Sequence, residues 1–311
     1  MILFISGRTD IPAFYSDWFM NRLKAGFVDV RNPYYGEQVT RYSLDPKLVD
    51  ALVFCTKNPL PMMKHIKEIK SRGFKIYFFV TITPYSNNIE PGVPDKSRII
   101  SSFIELSTLI GKENISWRYD PVFINDVYSI GFHKTAFANM AEKLSGSTER
   151  CIISFIDLYK KTIKNFPSVR EVKISEQEEL AFSFSESADK FGISVETCAE
   201  KYNLSKFGVK PGACVSRNLM EQTCGFNLKE KLPPNNLRES CACLPMHDIG
   251  AYNSCPHMCR YCYANYDEAL VRKNVLLHNP ESSFLIGESK DSDTVKKSRQ
   301  ESFRDEQGRL L

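Results

Sequence analysis

From its second residue the chain repeats one unit: a short apolar run rich in β-branched and aromatic residues, then a longer stretch with helical spacing. The runs that read as strands are residues 2–6, 51–56, 76–82, 115–119, 151–155 and 193–198, and the helical stretches are 12–25, 61–71, 97–110, 132–144 and 176–191. Pro12 and Pro61 sit where a first helical turn tolerates a missing amide, and Gly26, Gly73, Gly111 and Gly192 follow the helix ends, where a left-handed cap is wanted. Six strand-then-helix units predict an α/β fold whose parallel sheet, with helices outside, curls into a full or partial (β/α) barrel. The pattern breaks near Ala199, where cysteines and prolines thicken. The expected organisation is therefore a barrel over 1–198, a Cys-rich region over 199–280 and a polar tail over 281–311. The tail, of mixed charge and ending in DEQGRLL, reads as a solvated helix or loose end, and a short helix is expected over 263–273.

The composition excludes some functions. With 42% hydrophobic residues the chain can fill a sizeable core, and a net charge of +4 does not argue for wrapping nucleic acid. No run approaches the roughly 18 apolar residues of a membrane span, and the apolar start MILFIS has no basic segment before it. A cytoplasmic protein without a membrane partner is expected. In a reducing compartment its ten cysteines favour metal binding or catalysis over disulfides.

In parallel β/α folds, side chains at the C-terminal ends of the strands share one mouth. Polar residues recur at those ends here: Ser6, Arg8, Thr9 and Asp10, then Thr56, Lys57 and Asn58, then Thr81, Thr83 and Tyr85. Arg118 and Asp120 follow, then Ser154 and Asp157, then Glu196, Thr197, Cys198 and Glu200. Any one could be a helix cap or loop ion pair. Together they predict a polar cavity lined from several strands, with Lys57, Arg118, Asp120 and Asp157 as candidate catalytic residues.

The chemistry-bearing motif lies late, in SCPHMCRYCYANY (254–266), where Cys255, Cys259 and Cys262 are spaced C-x3-C-x2-C. Three thiolates at this spacing suit three corners of a four-iron cluster, leaving one iron open. Zinc is the rival reading, since Cys241 and Cys243 upstream could complete a closed site. His257 reads as a spacer. Cys198, Cys214, Cys241 and Cys243 form a candidate second metal site for an iron–sulfur cluster or zinc, with Cys224 as a spare and scattered buried thiols as the plainer reading. Cys55 and Cys151 read as core.

Tyr261 turns the motif into C-x3-C-x-Y-C, which closely resembles the signature of radical S-adenosylmethionine enzymes. The resemblance implies a partial (β/α)6 barrel and a [4Fe-4S] cluster on Cys255, Cys259 and Cys262. The open iron would chelate S-adenosylmethionine and a 5′-deoxyadenosyl radical would be released, with Tyr261 packed near the adenine. On this reading Lys57, Arg118, Asp120 and Asp157 would hold substrate or cofactor carboxylates, ribose or phosphate. Further stretches, GRTDIPAFYSDWF, RNPYYGEQV, FCTKNP, WRYDPVF, SFIDLYKK and DIGAYNSCPHMCRYCYAN, resemble a narrower microbial family, the domain of unknown function eighteen forty-eight. That likeness covers most of residues 1–275 and implies no substrate. The superfamily places its cysteine loop after the first strand, whereas here it comes last. A circularly permuted barrel reconciles the two: a strand over 245–250 precedes the cysteine loop and lies beside strand 2–6, bringing Arg8 and Asp10 to the cofactor. Implied partners are a small-molecule substrate and a reductant such as flavodoxin or ferredoxin. Arg118-Tyr-Asp120-Pro resembles a short stretch of radical enzymes that repair DNA, which makes nucleic acid the lesser substrate class. A zinc-stabilised binding or regulatory protein and an iron–sulfur electron carrier are the alternatives from other classes.

Overall fold

The computed structural model describes residues 1–234 and 241–306; residues 307–311, which end the expected tail, lie outside the described residues. In chain order the strands are β1 (Ile2–Phe4), β2 (Phe27–Arg31), β3 (Gln38–Ser43), β4 (Ala51–Thr56), β5 (Ile76–Thr81) and β6 (Ile115–Val122). They continue with β7 (Arg150–Phe155), β8 (Ser194–Cys198), β9 (Lys210–Gly212), β10 (Met246–Asp248) and β11 (Thr294–Lys297). Eight of them form one sheet in the order β10-β1-β4-β5-β6-β7-β8-β9, every neighbouring pair parallel. This is the α/β arrangement of a partial barrel, with β9 and β10 at its two edges. All six expected strands are present, displaced by a few residues at their ends.

The sheet is held by what parallel strands need, apolar side chains on both faces. Phe54 stacks on Phe78 across the β4–β5 pair with ring centroids 4.6 Å apart. Trp117 of β6 stacks on Phe137, which in turn stacks on Phe184 at 4.1 Å, so helices Ile130–Lys143 and Ile174–Asp189 pack on the same aromatic column. The Trp117 indole also donates to the Ile82 carbonyl at 2.9 Å, so its one polar atom is paired inside the core.

Strand β10 falls in the stretch expected beside the N-terminal strand, with Ile2 opposite Met246 and Phe4 opposite Asp248. It places the stretch of the Cys-rich region just ahead of the cysteine triplet next to the start of the chain.

Several expectations need correction. The helix expected over 12–25 is two, Ile11–Phe14 and Ser16–Ala25, broken at Tyr15, whose hydroxyl donates to the Ser254 carbonyl. The helix expected over 61–71 also splits, into Leu60–Met63 and Ile66–Ser71. The one expected over 263–273 starts later, at Glu268–Leu276, because Asp267 caps it and the residues before it serve the cysteine loop. Residues 27–43 and the tail build a second sheet, β11-β3-β2, that the β/α pattern did not predict. As far as residue 306 the tail thus contributes a docked strand, β11, where a solvated helix or loose end was expected. Its polar residues are spent on partners: Asp293 takes a two-pronged ion pair from Arg31, and Gln300 bonds both the amide and the carbonyl of Ser43. The Trp18 indole donates to the Ser282 carbonyl at 2.9 Å.

Candidate functional site

The cysteine loop folds back over the ends of β1, β4 and β5. Asp10, just past β1, organises the contact. One carboxylate oxygen caps the helix at Ala13 N (3.0 Å), and the other accepts from Lys57 N at 2.8 Å and from His257 Nε2 at 2.9 Å. The other ring nitrogen of His257 faces the Gly92 carbonyl at 3.0 Å, and Gly92 N donates to the His257 carbonyl at 2.9 Å. Arg260 N donates to Ile89 O at 3.0 Å, so segment 89–92 straps the loop from the β5 side. Gly92 is required by this closeness: a Cβ there would lie 2.3 Å from the Pro256 carbonyl oxygen. Met258, between the first two cysteines, takes the left-handed region at φ 54°, a conformation that persists for such a residue only where the surroundings impose it. His257, expected to be a spacer, is a buried strut.

Within this loop the three thiols sense one another. Burial first, then Asp10 and the thiols of Cys262 and Cys259, push the Cys255 thiol well up. Burial likewise raises Cys259, against the nearby Lys57 ammonium. Backbone N–H groups aim at the sulfurs: Ala264 N donates to Cys262 Sγ at 3.3 Å, Asn265 N also bonds Cys262, and His257 N bonds Cys255. Such donors stabilise thiolate over thiol. The Oγ atoms of Ser6 and Thr9, at the β1 exit, and Oδ1 of Asn265 are buried without a hydrogen-bond partner among the described residues. Asn265 donates through its nitrogen to the Cys255 carbonyl at 2.9 Å.

Beside the loop lies a buried ionic network centred on Glu90, which is 0% exposed. Its carboxylate accepts from Lys57 Nζ at 2.9 Å, from Thr83 Oγ1 at 2.6 Å, and from the Lys96 ammonium and Tyr261 hydroxyl. Burial opposes the charge, but Lys57 and Lys96 hold the carboxyl at about 2. Lys57 shows the converse: burial would lower it, yet Glu90 and the Cys259 thiol hold it above the ordinary lysine value. The Lys57 ammonium also stands 5.6 Å from the Tyr261 ring centroid. Glu90, Thr83 and Lys96 are the residues that reading strand ends missed or left unassigned. Glu90 lies several residues past β5, in a loop with no motif, and its burial between two lysines had no sequence signal.

The remaining strand-end residues divide. Arg8 pairs with Asp248 at 3.0 Å and with the Asp248 carbonyl at 2.8 Å, tying the end of β1 to β10. Arg118 forks onto Asp120 (3.0 and 2.5 Å) and turns its other nitrogen to Cys214 Sγ at 3.4 Å. Cys55 is not simply core: it is half-buried at the end of β4, among Arg118, Asp120 and Asp10. Asp157 is exposed and accepts from the Tyr159 hydroxyl at 3.1 Å. Tyr263 reaches back to the Gly7 carbonyl, and Lys161 Nζ bonds the Tyr263 carbonyl at 2.9 Å. Adjacent strand ends are thus stitched in order: Asp10 to Lys57, Lys57 to Glu90, Asp120 to Ser154, and Glu200 to Phe155 N.

The four other cysteines named from sequence also meet. Cys198 and Cys214 stand with sulfurs 2.7 Å apart, Cys214 hydrogen-bonds Cys243, and Cys243 hydrogen-bonds Cys241. Among the described residues no group of three or more His, Cys, Asp or Glu side chains is arranged so that it could hold a metal ion as it stands. Among them, too, no helix is long and apolar enough to cross a membrane.

No curated protein matches the chain. A family model, described as domain of unknown function (DUF1848), matches residues 2–264, which span the eight-stranded sheet, the Glu90 network and the whole cysteine triplet. The chain therefore belongs to the DUF1848 family.

Proposed function

We propose that this protein is a radical S-adenosylmethionine-type enzyme in which Cys255, Cys259 and Cys262 hold a [4Fe-4S] cluster. The observation that carries the reading is the docking of C-x3-C-x-Y-C over the C-terminal ends of parallel strands, where β/α proteins do their chemistry. The residues suit the group: three thiols on one strapped loop, N–H donors aimed at two of them, and unpaired buried polar atoms of Ser6, Thr9 and Asn265 on the loop and the β1 exit. When bound, the cluster supplies the electron that cleaves the sulfonium of S-adenosylmethionine for hydrogen abstraction from substrate.

The chain's own residues orient and exclude. Asp10 and Gly92 fix the loop through His257, and Tyr261, its hydroxyl held by Glu90, would offer its ring to the adenine of the cofactor. Lys57 keeps a positive charge beside Cys259, offsetting the negative charge that thiolate ligands bring. Arg8 anchors the β1 exit, while Arg118, Asp120 and Asp157 offer groups for a small-molecule substrate. The parallel pairing of β10 with β1 supports a circularly permuted barrel, in which β10 and the loop after it open the β/α series that β1 continues. A cytoplasmic location with a flavodoxin or ferredoxin as reductant fits a chain in which none of the ten cysteines forms a disulfide.

Iron and sulfide analysis of anaerobically purified protein tests the reading. About four irons bound through the triplet are expected, lost in Cys259→Ala. Colourless protein with zinc on the triplet would overturn it and favour a zinc-stabilised binding protein.

A further inference from the structure

The sheet is open, with β9 at one edge and β10 at the other. Four cysteines gather from segments leading to both edges. Cys198 is the last residue of β8, and Cys214 follows β9, which pairs with β8 with Gly212 opposite Cys198. Cys241 and Cys243 lie just ahead of β10. Leu244 N donates to Val215 O at 2.9 Å, and Val215 N donates to Cys243 Sγ at 3.4 Å, so the approach to β10 is laid against the exit of β9. The thiols form a continuous set, Cys198 to Cys214 to Cys243 to Cys241.

We propose that Cys198, Cys214, Cys241 and Cys243 bind one zinc ion, which staples the open seam of the barrel between β9 and β10. Four thiolates make a closed tetrahedral structural site, and zinc–sulfur bonds of about 2.3 Å put neighbouring sulfurs about 3.8 Å apart. The Cys198 and Cys214 sulfurs, at 2.7 Å, need to part by only about 1 Å to reach that spacing. An iron–sulfur cluster would force its whole core between sulfurs that now touch. Four thiolates on a dication leave two negative charges, and cationic and N–H donors are in place. Arg118 Nη1 reaches Cys214 Sγ at 3.4 Å, and Val215 N reaches Cys243 Sγ. Arg150 fixes the backbone between them through the Cys214 and Ala213 carbonyls, at 2.9 and 2.7 Å. Since Arg118 also forks onto Asp120, the staple sets the position of a strand-end residue in the mouth.

The test is metal analysis of the full chain in two backgrounds. Cys255→Ala, Cys259→Ala and Cys262→Ala together remove the ligands proposed for the cluster; this variant is expected to retain about one zinc per chain. Cys214→Ser with Cys243→Ser should lower zinc to under about a tenth of that value. Should the second variant fail to fold, cobalt substitution of the triple variant decides, with the intense visible bands of tetrahedral thiolate–cobalt expected. A triple variant that binds neither zinc nor cobalt, with all four thiols open to titration, overturns the staple. So does one that binds iron and sulfide at these cysteines. Loss of the cluster reading alone would leave the zinc of the triple variant unchanged.

Discussion

The carboxylate of Asp10 and the imidazole of His257, separated by 247 residues in sequence, meet at 2.9 Å and fix the cysteine loop to the end of the first strand. The same carboxylate accepts Lys57 N and caps a helix, so one side chain sets three elements. Asp10→Asn keeps the shape, but its amide nitrogen cannot accept from both Lys57 N and His257. The variant should lose about 1.5–3 kcal/mol, the scale of a buried hydrogen bond to a charged group. Native-state alkylation of Cys255, Cys259 and Cys262 should rise sharply while Cys151 stays protected. Unchanged alkylation would mean that the loop is held elsewhere.

Gly92→Ala tests the other strap. A methyl group would meet backbone atoms of Pro256 and His257, which cannot swing aside as a flexible side chain could. The barrel should still form, with far-ultraviolet circular dichroism near wild type, while the variant gains alkylation at the triplet and retains little of the iron that the proposed cluster would bring. Full iron loading in this variant would show that the close approach is dispensable.

Glu90→Gln leaves Lys57 and Lys96 facing each other without their shared counter-charge. A loss of about 3–5 kcal/mol in urea unfolding is expected. The sign with pH follows from the lowered carboxyl: Glu90 contributes stability above the ordinary carboxylate value, and the contribution is lost as pH falls toward about 2. Wild type should therefore show a steeper acid limb below about pH 4.5 than Glu90→Gln. Parallel limbs would contradict the network.

His133 governs a higher pH window. It is buried against the Tyr119 hydroxyl and the Phe123 carbonyl, each at 2.8 Å, which fits a neutral ring accepting from one and donating to the other. Burial, against the Phe123 hydrogen bond, lowers its value from 6.5 to about 4. The unfolded chain takes up this proton first, so stability is full above about pH 6.5 and falls toward pH 4, by roughly 3 kcal/mol in total. His133→Gln should flatten this limb in urea midpoints measured from pH 7 to 4; an unchanged slope would assign it to other groups.

Much of the barrel was legible because its strands are buried on both faces and read as continuous apolar runs, as in ALVFCT of β4 and IYFFVT of β5. The approach of the cysteine loop to Arg8 and Asp10 was legible from the order of motifs, since one strand ahead of the loop sufficed to bring it there. Glu90 was not, because a carboxylate several residues past a strand carries no periodicity, and only the fold sets Lys57 and Lys96 around it. The β2–β3–β11 sheet was hidden for a related reason: Arg31, Asp293 and Gln300 look like solvated surface until their partners are known. Tyr15 broke a helix that spacing alone would continue.

The central claim is tested most directly by incubating reduced, cluster-loaded protein with S-adenosylmethionine and assaying 5′-deoxyadenosine by chromatography. The account predicts 5′-deoxyadenosine from wild type and at least about a hundredfold less from Cys259→Ala, about 2.7 kcal/mol at 1.36 per tenfold. A fully loaded wild-type protein that forms none would contradict it and leave an iron–sulfur electron carrier.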